Sequence, residues 1–128
     1  MRVSAILTGL AIFAAGAAYA EPHEFIACNF REHKGTADLD KWVASIQSVL
    51  DSTQDDYRAV VLTPQYDGGD ATPDFYWMGV WPDAQKLGLG LANWFEKGTG
   101  DKAMVALAAF ADCKPGPLWW GRQVYQQK

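Results

Sequence analysis

The stretch FYWMGVWPD, residues 75–83, sets four aromatic rings within seven residues and then closes with a proline. Its rings and β-branched neighbour suit a strand. Side chains alternate along a strand, so Phe75, Trp77, Gly79 and Trp81 share one side while Tyr76, Met78 and Val80 share the other. Both sides are apolar. A strand with one wet side alternates apolar with polar instead, so this one has to be covered on both.

Reading outward, YRAVVLTPQY (57–66) forms a second strand ended by Pro64, and DGGDATPD (67–74) is the loop joining it to the aromatic strand. Upstream, EFIACNF (24–30) alternates as a strand, Gly35 turns the chain, and Thr36 is placed to cap a helix with Asp38 and Asp40 in its first turn. In that helix Leu39, Trp42, Val43, Ile46, Val49 and Leu50 recur at helical spacing as one apolar stripe. Downstream of Asp83, Leu87, Leu91, Trp94 and Phe95 share a helical face, with Gly88 and Gly90 read as close-packing positions. KGTG (97–100) breaks the pattern, and Asp101 is placed to cap a further helix carrying Met104, Leu107, Ala108 and Ala111. PGP (115–117) predicts a turn, and LWWGRQVY (118–125) a last strand. The order β-α-β-β-α-β predicts an α+β, ferredoxin-like fold: a four-stranded antiparallel sheet with helices on one face and the other face bare.

Residues 1–20 stand apart. One basic residue, an uncharged apolar run and Ala18-Tyr19-Ala20 make a secretory signal peptide cleaved after Ala20. Glu21, not a cysteine, directly follows the cleavage point, so no lipid anchor is expected, and no membrane association after cleavage. The expected mature chain, 21–128, is one domain of the bacterial periplasm or exterior. It carries ten basic and fifteen acidic residues, a balance that excludes nucleic acid as partner, because that needs clustered Lys and Arg.

The two cysteines, Cys28 and Cys113, are expected to form a disulfide in such a compartment, tying the first strand to the end of the last helix. A bridge to a helix end puts Cys28, Ile26 and Phe30 under the helices and leaves Ala27, Asn29 and Arg31 on the bare side. Trp119 and Trp120, being adjacent, point to opposite sides, and the sequence leaves open which one faces the bare side.

No catalytic constellation stands out. The serines beyond residue 20 are Ser45, Ser48 and Ser52, all on the first helix, without a nucleophile elbow. His33 beside Glu32 reads as a solvated loop histidine. Copper binding at the expected amino terminus through His23 is blocked by Pro22, which has no N–H to lose. Asp67, Asp70 and Asp74 lack the spacing of a calcium loop and read as an acidic turn. No metal or cofactor is expected.

The pattern resembles the dimeric α+β barrel superfamily, which includes antibiotic-biosynthesis and haem-degrading monooxygenases. The resemblance lies in element order over most of residues 21–128. It lies also in Asn29 on the first strand, Lys34-Gly35-Thr36-Ala37 at the helix entry and Trp81 closing the third strand. It implies a homodimer, ligand contact by Asn29 and Trp81, and a place for Trp81 on the bare face. No histidine follows His33, so the second helix cannot supply a haem ligand. In character the chain is also similar to small exported bacterial proteins. The functional expectation is an exported binding protein for a small apolar or aromatic molecule, held against Trp77, Trp81 and Trp119 and oriented by Asn29 and Arg31. Two alternatives are a cofactor-independent monooxygenase acting on an aromatic substrate and an interaction module with a dry dimer interface.

Overall fold

The computed structural model describes residues 21–53, 56–66, 69, 71–121 and 124. The leader expected at 1–20, together with Asp67 and Asp70, lies outside the described residues. The elements run β1 (Glu21–Phe30), α1 (Thr36–Thr53), β2 (Arg58–Leu62), β3 (Phe75–Val80), α2 (Ala84–Leu91), a π-helical turn (Ala92–Glu96), α3 (Asp101–Ala108) and β4 (Ala111–Gly121). The strands form one antiparallel sheet in the order β2-β3-β1-β4, and the fold is ferredoxin-like α+β. Among the described residues no helix is long and apolar enough to cross a membrane.

The α1 stripe behaves as its spacing predicts. Leu39, Trp42 and Ile46 are buried, and Val43 and Leu50 pack against the same core. Asp38, rather than Thr36, stabilises the helix entry, its carboxylate accepting from the Gly35 N–H at 3.2 Å. At α2 the Asp83 side chain caps the helix by accepting from the Lys86 N–H at 2.8 Å. The helical run then widens into the π-helical turn and breaks at Lys97–Gly100. Gly100, not Asp101, is the cap of α3. A Cβ on Gly100 would meet the Trp94 indole, so glycine there lets the indole fold back against the loop. Gly90 is buried, whereas Gly88 is exposed with open space where a Cβ would stand, so close packing does not account for Gly88.

The disulfide joins Cys28 and Cys113, but its second end is not on a helix. α3 stops at Ala108 and β4 has already begun at Ala111, so the bridge crosses directly between paired strands, Cys28 opposite Cys113. Nor does 115–117 form a turn. Pro115, Gly116 and Pro117 lie within β4, where proline is tolerated because the strand is at the sheet edge and bulged. Ile26 pairs with Pro115 and Glu24 with Leu118, so β4 spends one residue more than β1 between the two pairs. A Cβ at Gly116 would stand 2.7 Å from the Phe25 carbonyl oxygen, which is why glycine occupies the bulge. The extra residue also inverts the phase beyond it: Trp119 lies opposite His23 and Trp120 opposite Pro22. Trp119 is therefore the tryptophan on the bare side.

Register corrects the facing of the aromatic strand. Cys28 lies opposite Phe75 and Ile26 opposite Trp77, and directly paired residues share a side of the sheet. Cys28 and Ile26 are on the helix side, as expected but for another reason, since both pack into the core beneath the helices, so Phe75 and Trp77 are there too. Phe75 is fully buried, and the Trp77 ring meets Trp42 edge-on at 5.3 Å. Trp81 is likewise buried, its ring 4.6 Å from Tyr57. The bare side carries Tyr76, Met78 and Val80, with Phe25 and Ala27 beside them and Val60 and Leu62 on β2.

Candidate functional site

The residues expected to form one site therefore fall on opposite sides of the sheet. Asn29 and Arg31 are exposed at the far end of β1, and the Arg31 guanidinium donates to Asp112 at 2.6 Å as an exposed ion pair. Trp119 is more than half exposed. With Phe25, Ala27, Tyr76, Gly116 and Pro117 it lines an open apolar depression on the bare side. Trp77 and Trp81 line a different space, between the helices and the sheet. The sheet thus separates Asn29, Arg31 and Trp119 from Trp77 and Trp81.

That inner cavity is the better-built site. Trp77, Trp81 and Glu24 form its floor, Trp42, Ile46 and Leu50 of α1 one wall, and Gly90, Leu91, Trp94, Phe95 and Met104 the other, with Tyr57 at the rim of β2. Its volume is about 60 Å³, enough for a small head group rather than a polycyclic molecule. A shallower cleft of about 290 Å³ between α1 and β2 shares Ile46, Leu50, Tyr57 and Trp77 with it.

The indole N–H groups of Trp42, Trp77 and Trp81 need acceptors here. Trp42 donates to the Ala103 carbonyl oxygen and Trp77 to the Tyr57 hydroxyl, each at 2.8 Å. Trp81 Nε1 is buried without a partner among the described residues. A buried N–H left unpaired costs roughly 1–3 kcal/mol, and native interiors rarely tolerate one.

The sequence reasoning missed Glu24 and Tyr57. Tyr57 accepts from Trp77 and shares a hydrogen bond with the Glu24 carboxyl. Gly79 makes this possible. It lies opposite Glu24, and a Cβ on it would stand 2.5 Å from the Tyr57 hydroxyl oxygen and 2.8 Å from Glu24 Oε1. Burial raises the Glu24 carboxyl to about 7, the Tyr57 hydrogen bond opposing the rise. Burial first, and then the nearby Glu24 charge, holds the Tyr57 hydroxyl well above its usual range, so it stays neutral. A signal for Glu24 was present: it is in phase with Ile26, Cys28 and Phe30, an acid among core positions.

Among the described residues no cluster of three His, Cys, Asp or Glu could hold a metal ion. Asp74 serves the backbone, its carboxylate accepting from the Phe30 N–H at 2.6 Å. His33 is exposed beside Glu32.

No family model and no curated protein matches the chain. Solved structures do. SnoaB from Streptomyces nogalater, a cofactor-independent oxygenase, superposes with a TM-score of 0.60 at 19% identity, covering 84% of this chain and 99% of its own. A dimeric protein of unknown function and ferredoxin-like fold from Bacteroides fragilis NCTC 9343 gives 0.51 at 9% identity, over 79% of this chain and 96% of its own. An EthD-like protein from Ralstonia eutropha JMP134 gives 0.50 at 13% identity, over 85% and 96%. The chain shares its ferredoxin-like architecture with these structures, as the element order had suggested.

Proposed function

We propose that this is an exported protein that binds a small, largely apolar or aromatic molecule in the cavity between helices and sheet. One observation carries the reading: Trp81 presents a buried, unpartnered N–H in an aromatic-walled cavity. A ligand with an oxygen acceptor would satisfy it. Apolar walls with a few placed polar groups are how small-molecule sites are usually built. Trp77 and Trp81 keep the contact role first assigned to them, now without Asn29, Arg31 and Trp119. In this reading the bare face, with Val60 and Leu62 each about 40% exposed, pairs with a second copy of the chain; the similar protein from Bacteroides fragilis is itself dimeric.

The test is tryptophan fluorescence of the mature protein against a panel of small aromatic and aliphatic carbonyl and hydroxyl compounds. Binding should shift the emission, since four of the six tryptophans line the cavity. Trp81→Phe should weaken acceptor-bearing ligands about tenfold, the worth of one hydrogen bond. A flat response across the panel refutes the reading.

A second reading, cofactor-independent oxygenation of an aromatic ligand, draws on Glu24, whose carboxyl within the cavity could take a proton near neutral pH. Oxygen uptake by the protein with a bound panel compound separates enzyme from binder.

A further inference from the structure

We propose that the inner cavity takes an organic ammonium ion, with the Glu24 carboxylate as its counter-charge and the surrounding indoles as its walls. The proposal rests on the small-molecule reading above and names the ligand class. Three observations support it. Among the described residues Glu24 is the one acid lining the cavity, and no Lys, Arg or His lines it. Among the described residues Glu24 forms no ion pair, its partner being the neutral Tyr57 hydroxyl. The remaining walls include Trp42, Trp77, Trp81 and Trp94, and aromatic faces attract cations, tryptophan most strongly.

A carboxyl withdrawn from water without a cation keeps its proton; an ammonium group brought against it supplies the missing charge. A neutral aromatic ligand would fill the same space and leave Glu24 protonated. The small volume fits a methylated ammonium head group, and a hydroxyl or carbonyl oxygen on the same molecule would take the Trp81 N–H. Among the described residues Glu24 faces no competing titratable group except Tyr57. The elements around it contribute Trp42, Ile46 and Leu50 from α1, Leu91 from α2, Met104 from α3, Trp77 and Gly79 from β3, and Leu118 from β4. Arg58, at the start of β2, is held by Glu21 at 2.9 Å.

The probes are choline and its neutral isostere 3,3-dimethylbutan-1-ol, compared by titration calorimetry on the mature, disulfide-bonded protein. Both carry the hydroxyl, so they differ in charge alone. Choline should bind at least tenfold more tightly at pH 8. Its affinity should fall about tenfold from pH 8 to pH 6, because a carboxyl titrating near 7 goes from mostly ionised to mostly protonated over that span; the alcohol's affinity should not change. Glu24→Gln should abolish the preference for choline and keep the alcohol's affinity. Should that variant fail to fold, the pH comparison on the unmodified protein decides. Equal affinity for the two probes, or a pH-independent preference, overturns the proposal. If neutral panel compounds bind while choline shows no advantage, only the cation assignment falls; if nothing binds, the cavity reading falls with it.

Discussion

Replacing Glu24 by Gln should make the protein more stable at neutral pH, and more so the higher the pH. The Glu24 carboxyl rises from 4.5 to about 7 on folding, because burial penalises its charge. Between those values the folded protein keeps a proton that the unfolded chain has lost. Stability therefore falls as pH rises through this window and levels off above it. The full shift corresponds to a ceiling of about 3 kcal/mol. Glu24 is only partly buried, and residual water contact brings the expected effect to about 2 kcal/mol. Glutamine keeps an acceptor for the Tyr57 O–H and carries no charge, so its own contribution does not vary with pH. Urea unfolding of both proteins at pH 4.5 and pH 8, disulfide intact, measures the difference, and other titrating groups cancel between them. The variant should match the parent at pH 4.5 and exceed it by about 2 kcal/mol at pH 8, roughly a 10 °C rise in Tm for a domain of this size. A difference that is the same at both pH values would refute the reasoning, since it would mean that Glu24 is as well solvated folded as unfolded.

Gly79→Ala should cost about 1–3 kcal/mol in the same urea assay, because its Cβ would stand 2.5 Å from the Tyr57 hydroxyl oxygen. It should also change the pH dependence between 4.5 and 7 by displacing Glu24. Reducing the disulfide opens a loop with a sequence separation of 85 and should cost about 4 kcal/mol, seen as a lower urea midpoint in dithiothreitol. Met78→Glu, in the middle of the bare face, should leave the monomer folded by circular dichroism and shift sedimentation from dimer to monomer. An unchanged sedimentation coefficient would remove that face from the proposed assembly.

The helix stripe was legible because 3.6-residue spacing is a local property: Leu39, Trp42 and Ile46 needed no partner to be recognised. Element order and the cysteine pair were legible for similar reasons, and together they led to the right fold. Register was not. Nothing within 75–83 states that Trp77 stands opposite Ile26, and a shift of one residue would exchange the sides of every ring in the strand. The extra residue at Gly116 was equally hidden, since PGP reads locally as a turn and becomes a bulge only beside β1. The candidate site suffered from the same blindness. Glu24 and Tyr57 are far apart in sequence, and the glycine that lets them meet belongs to a third strand. Glu24 in step with Ile26 and Cys28, and Gly79 in step with Trp77 and Trp81, were the available signals.

The bulged, proline-bearing β4 bears on how copies of this chain can aggregate. A sheet grows sideways when its outermost strand offers a straight row of amides and carbonyls to a newcomer. Here two of the eleven positions along that border are imino acids with no hydrogen to give, and the backbone bows between them. Zipping further strands onto this margin into an open-ended ribbon is thereby frustrated, which favours the closed, back-to-back pairing proposed above.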